Sequence, residues 1–119
     1  MIYQNNRRIG TGYETRAALF LEEAGCRILE RNYRCRLGEI DLIAEQDGVL
    51  VFVEVKFREG SGAGDPLEAV GVRKQQTIYR VAQQYLLSHG LSEETPCRFD
   101  VIGMTRETVR HIENAFGGM

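Results

Sequence analysis

The sequence predicts an α/β domain in which one central mixed β-sheet has helices packed on it, in the order α-β-β-β-α-β-β. Three observations predict it. Apolar residues recur at helical spacing in two separate segments. Between those segments, two β-branched runs meet at Asp47-Gly48, a strong hairpin signal. Two further short runs, "CRFDVIGM" and "TVRHIENAF", read as closing strands.

The elements follow in order. Residues 1–9 read as a loose polar tail, and residues 117–119 as a second one. Thr11-Gly12-Tyr13-Glu14 matches a capping box, and Tyr13, Ala17, Phe20, Leu21 and Ala24 then form one apolar face before Gly25, so the first helix is expected over about 12–24. Residues 27–36, with Ile28, Leu29 and Tyr33, give the first strand, and the hairpin supplies the second and third. "REGSGAGDP" is a glycine-rich loop. Asp65 as cap and Pro66 at the first helical position begin a second helical region, which Gly71 interrupts. Its stripe is Ile78, Val81, Ala82, Tyr85 and Leu86, and His89-Gly90 ends it. A single domain over residues 10–116 accommodates all of this without a linker or repeat.

The bulk properties bound the function. A chain of 119 residues with 43% hydrophobic and 27% charged residues suits one globular domain with its own core. No apolar stretch approaches membrane-spanning length, and "MIYQNNRRIGTG" lacks the apolar centre of a secretory signal. Three cysteines without C-x-x-C spacing argue against a disulfide framework and against a zinc site, and fit a reducing cytoplasm. A net charge of −2 does not mark a nucleic-acid binder, and from charge alone the basic residues read as solvated side chains. The basic residues are nevertheless clustered: Arg27, Arg31, Arg34 and Arg36 precede the hairpin, Arg58 follows it, and Arg73, Lys74 and Arg80 lie on the second helix.

The hairpin "GEIDLIAEQDGVLVFVEVKFR" places charges inside apolar strands. Asp47-Gly48 favours a two-residue type I′ turn, because both central positions need positive φ. Gln46 then faces Val49, Asp41 faces Glu54 and Glu39 faces Lys56. Period-two alternation sends all four charged side chains to one face and Ile40/Val55, Leu42/Val53 and Ala44/Val51 to the other, apolar face. Opposed Cβ atoms lie roughly 4.5–5.5 Å apart, so two facing carboxylates destabilise the pair unless a proton or cation lies between them. A divalent cation resolves this. Mg²⁺ takes one or two carboxylates and otherwise keeps waters and phosphate oxygens, so Asp41, Glu54 and the Val55 backbone carbonyl form a candidate donor set. Lys56 would stand beside the bound water or a phosphate. Thirteen of the fifteen basic residues are arginine, yet this position is lysine, a compact point charge. The alternative is a Glu39–Lys56 salt bridge with Asp41 and Glu54 facing solvent.

"EIDLIA…VFVEVK" resembles the D…(E/D)-x-K signature of restriction-endonuclease-like PD-(D/E)xK nucleases. Together with "GYETRAALFLEEAG", "ILERNYRCRLGEIDLIA", "DPLEAV", "RFDVI" and "HIENAF", it makes the chain similar, over nearly all of residues 10–116, to the bacterial YraN-type family, which resembles Holliday-junction resolvases. The resemblance implies a restriction-endonuclease-like fold and an endonuclease that uses Mg²⁺ or Mn²⁺ on nucleic acid, with DNA, including branched or repair intermediates, as the expected substrate. It implies Asp41 and Glu54 as metal ligands and Lys56 as catalytic lysine. Glu14 matches an acid that related nucleases use near the metal; the capping-box role stays open beside it. Lys74 and Gln75 match a helix that carries supporting polar residues, with a plain solvated face as the favoured alternative, and Arg34, Arg36, Arg58 and Lys74 are the candidate nucleic-acid contacts. Asp100 reads as a structural hydrogen-bond partner, His89 as a helix-end cap and His111 as a surface strand residue. Related resolvases act as homodimers, though nothing in this sequence marks a dimer face. Two other functions remain open: a nucleic-acid-binding module that keeps the fold without catalysis, and a protein-interaction domain using the acidic hairpin face.

Overall fold

The computed structural model describes residues 3–58 and 70–117, with side chains from Gly12 onward. Its elements are helix α1 (Tyr3–Glu23), strands β1 (Arg27–Cys35), β2 (Gly38–Gln46) and β3 (Val49–Phe57), helix α2 (Val72–Ser88), and strands β4 (Cys97–Met104) and β5 (Val109–Phe116). This is the expected α-β-β-β-α-β-β order. The sheet runs β1-β2-β3-β4-β5, antiparallel except for the β3–β4 pair, whose parallel arrangement requires the crossover that α2 supplies. No helix among the described residues is long and apolar enough to cross a membrane.

The two helices cover opposite faces of the sheet. Ala17, Ala18 and Leu21 of α1 pack on Leu42, Ala44, Val51, Val53, Ile102 and Met104. Ile78, Val81, Ala82, Tyr85 and Leu86 of α2 pack on Ile43, Leu50, Phe52, Phe99 and Val101. Burial on both faces is why β3 reads as the nearly unbroken apolar run Val49–Val53.

Helix α1 ends as expected. Gly25 takes φ +99, and the Cys26 amide reaches back to the Leu21 carbonyl at 2.9 Å, a Schellman closure. Its start is different. The helix begins at Tyr3, so the expected tail, over the described residues 3–9, and the capping box at Thr11 are both replaced by continuous helix. Within a running helix the Thr11 backbone already has its partners, and the cap has nothing to satisfy. The second helix starts at Val72, after Gly71. The expected start at Asp65-Pro66 lies outside the described residues, as does most of "REGSGAGDP".

The hairpin turn is the expected one, with φ +52 at Asp47 and +83 at Gly48. The ladder runs from Gln46–Val49 to Leu42–Val53, in the register predicted. Beyond it the strands change character. The Val55 amide donates to Asp41 Oδ2 at 2.8 Å, where the next backbone rung would lie. The expectation that Ile40 shares a face with Leu42 is therefore corrected: Ile40 joins the α2-side core and Leu42 the α1-side core. A side chain standing in for a backbone rung lets β2 turn at Asp41, and strict alternation ends there.

Candidate functional site

Two carboxylates meet where the hairpin ladder ends. Asp41 lies at the splay of β2, and Glu54, on β3, is buried beneath the start of α2 with 6% of its side chain exposed. Burial pushes the Asp41 carboxyl up from 3.8 to about 7, and the adjoining Glu54 carboxylate pushes in the same direction. The Val55 amide opposes this by stabilising the charged form, and Glu14 adds a further upward push. A carboxyl that holds its proton to near neutrality is one from which a divalent cation would displace that proton.

Lys56 stands where the sequence placed it but with another partner. Its Nζ is 3.3 Å from Glu54 Oε2, its neighbour two residues away on the same strand face. The expected Glu39–Lys56 bridge is absent among the described ion pairs. Glu39 instead faces Arg34 across the β1–β2 ladder, with Arg34 Nε 3.6 Å from Glu39 Oε2. The reason is topological: β1 lies directly beside Glu39, whereas the β2–β3 ladder has already ended at Leu42–Val53.

Lys74 is the residue whose place the sequence did not reveal. Read as a nucleic-acid contact on a helix, it reaches the same carboxylate oxygen, with Nζ 3.7 Å from Glu54 Oε2. The chain has two lysines, and both converge on that atom. Close packing of α2 on β2 brings Lys74 there. Gly38 has φ +148, and a Cβ on it would lie 2.7 Å from Thr77 Cγ2, so glycine lets the first turns of α2 settle against the start of β2. The signal available in advance was that both lysines of an arginine-rich chain lie near acids or in the first turn of the following helix.

Glu14 is fixed from two sides. Asn32 Nδ2 donates to its Oε1 at 2.8 Å, and the neighbouring Tyr13 stacks on Phe57 at the end of β3, with ring centroids 3.7 Å apart. Asn32 reaches it because it adopts φ +55, a left-handed conformation that asparagine tolerates. Glu14 is therefore held by a tertiary contact, not in a cap. Arg36 and Arg58 are exposed, and Arg34 is half-committed to Glu39.

The donor chemistry suits one kind of cation. Among the described residues no group of three or more histidine, cysteine, aspartate or glutamate side chains is arranged to hold a metal. Two carboxylates plus a carbonyl are hard oxygen donors of the number Mg²⁺ or Mn²⁺ takes from protein. A strand residue directs its amide and carbonyl to the same edge, so the Val55 carbonyl faces the gap that its amide shares with Asp41.

A second polar cluster is structural. Asp100, fully buried in β4, accepts from Arg98 Nε at 3.1 Å and the Asn114 amide at 3.0 Å, and lies 2.7 Å from His111 Nε2. It satisfies the donors left where the β4–β5 register shifts and Asn114 takes φ +53. His111, expected at the surface, has only 9% of its side chain exposed.

Residues 13–104 match a family model described as "Uncharacterised protein family UPF0102". The chain is 53% identical over 112 residues to a UPF0102 protein of Lachnoclostridium phytofermentans, covering 94% of this chain and 95% of that one. It is 51% identical over 116 residues to a UPF0102 protein of Symbiobacterium thermophilum, covering 93% and 98% respectively. Among solved structures, SfsA of Pyrococcus furiosus in complex with Ca²⁺ is similar at 15% identity and a TM-score of 0.33, over 91% of this chain and 63% of that one. A likeness that distant assigns no fold.

Proposed function

The chain belongs to the UPF0102 family, and we propose that it is a restriction-endonuclease-like nuclease that hydrolyses phosphodiester bonds in nucleic acid, with DNA as substrate, using Mg²⁺ or Mn²⁺. One observation carries this reading: Asp41 and Glu54 are held together against their mutual repulsion, with Lys56 on the same carboxylate. Folding that sets a half-buried Asp41 against a buried Glu54 on a hydrophobic hairpin raises free energy, and such strain is characteristic of functional sites.

Asp41, Glu54 and the Val55 carbonyl would hold the cation, which when bound supplies positive charge beside a phosphodiester and acidifies a coordinated water. Lys56 keeps a compact ammonium fixed at the edge of the carboxylate pair, able to orient a water or offset charge growing on phosphate. Asp41 must lose its proton for the site to fill, so at limiting metal activity rises toward about pH 7 and levels off above it. Glu14, anchored by Asn32, adds negative potential on the α1 side.

The test is cleavage of a panel of duplex, branched and single-stranded DNA and RNA with Mg²⁺ or Mn²⁺, wild type beside Lys56→Ala. A group acting in the transition state predicts turnover lower by about two to four orders of magnitude. Nucleic-acid binding should change only by one phosphate contact, a salt slope smaller by about one at most. Binding without turnover in either protein would leave a binding module, and equal turnover in both would remove Lys56 from the chemistry.

A further inference from the structure

We propose that Lys74 is a displaceable counter-cation: it occupies Glu54 Oε2 in the metal-free protein, yields that oxygen to the divalent cation, and then offers its ammonium to a phosphate oxygen of the substrate. The inference rests on the metal-dependent reading above and links the expected nucleic-acid contact of Lys74 to the filling of the metal site.

The two lysines on Glu54 differ in their freedom. Lys56 is on the same strand as Glu54, two residues away, and cannot retire far from it. Lys74 reaches in from another element, at 3.7 Å, with 40% of its side chain exposed against 6% for Glu54. Its ammonium can therefore leave for solvent with little change in hydration, while the carboxylate cannot follow. Once it leaves, buried Glu54 needs a replacement cation, and a divalent ion supplies one.

The surroundings set where Lys74 goes. The first turn of α2 reads Val72-Arg73-Lys74-Gln75, without an acid to recapture the ammonium, and the α2 N-terminus adds positive potential. A divalent cation adds two positive charges beside Glu54, where both ammonium groups converge, and repels the looser of the two. With no acid in the described first turn of α2, an anion arriving from solvent is a partner for Lys74, and a phosphodiester is the anion that the proposed reaction brings. Cation and nucleic acid consequently strengthen one another's binding through Lys74, in both directions.

The experiment titrates the full-length protein with Mn²⁺ alone by calorimetry, at pH 8, for wild type, Lys74→Met and Lys74→Arg. Removing a competing half-exposed ammonium should tighten Mn²⁺ binding about two- to fivefold in Lys74→Met, and Lys74→Arg, which keeps the charge, should stay near wild type. Binding of a fluorescein-labelled DNA duplex is then compared with and without Mn²⁺ in a Lys56→Ala background that suppresses cleavage. Adding Lys74→Met should shrink the Mn²⁺-dependent gain in duplex affinity and lower the salt slope by about one. Unchanged or weaker Mn²⁺ binding in Lys74→Met, with wild type binding normally, overturns the counter-cation role and leaves the proposed function standing. If Lys74→Met does not fold, Lys74→Gln takes its place with the same expected tightening. Absence of Mn²⁺ binding in wild type overturns the metal-dependent reading itself.

Discussion

Asp41→Asn should stabilise the metal-free protein at alkaline pH and leave it unchanged at acid pH. Below about pH 4 the Asp41 carboxyl keeps its proton in both the folded and the unfolded chain. Between 3.8 and about 7 the unfolded chain releases that proton while the folded one retains it, so stability falls as pH rises. Above about 7 the folded chain carries the full penalty of a half-buried charge beside Glu54. At about 1.36 kcal/mol per pH unit, that window sets a ceiling of roughly 4 kcal/mol. Solvent and salt reach the half-buried Asp41 and screen part of that penalty, leaving about 1–3 kcal/mol for Asp41→Asn to recover at pH 8. Asparagine keeps an oxygen for the Val55 amide, so the splay of the hairpin survives. For a domain of this size the gain is a melting temperature higher by roughly 4–12 °C. The assay is thermal unfolding in EDTA at pH 5, 6, 7 and 8, wild type and variant side by side. A difference that stays constant across the series, or a variant less stable at pH 8, would refute the repulsion argument.

The remaining predictions use the same preparations. Because Mg²⁺ or Mn²⁺ must displace the Asp41 proton, apparent metal affinity should rise up to about tenfold per pH unit below about 7 and level off above it; calorimetric titrations between pH 5.5 and 8.5 would show a flat profile if Asp41 is not a ligand. Gly38→Ala introduces a Cβ 2.7 Å from Thr77 Cγ2 at φ +148, so urea unfolding should lose about 2–4 kcal/mol, and a loss under about 0.5 kcal/mol would mean that α2 is not pressed on β2. Asp100→Ala takes a partner from Arg98 Nε, His111 and the Asn114 amide and should cost about 3–5 kcal/mol; metal binding by the folded fraction should be intact, and its loss would tie this cluster to the site.

The sequence by itself determined whatever depends on neighbours along the chain. The element order, the Asp47-Gly48 turn and the pairing from Gln46–Val49 to Leu42–Val53 all follow from local periodicity and turn chemistry. Those local rules also brought Asp41 and Glu54 together, because they lie one rung past the last regular pair, too few residues for the register to drift. Tertiary structure decided the rest. Once the Asp41 side chain takes the Val55 amide, counting residues no longer predicts the face of Ile40 or the partner of Lys56. Glu39 meets Arg34 because β1 is the strand added beside β2. Glu14 leaves its cap because α1 runs on through Thr11 and Asn32 reaches across from β1. Lys74 arrives at Glu54 because α2, crossing over to join β3 and β4, packs its first turns against Gly38. Each of these joins residues distant in sequence, and their pairing depends on which surfaces bury the most apolar area together, a property of the assembled sheet and helices that no local pattern encodes.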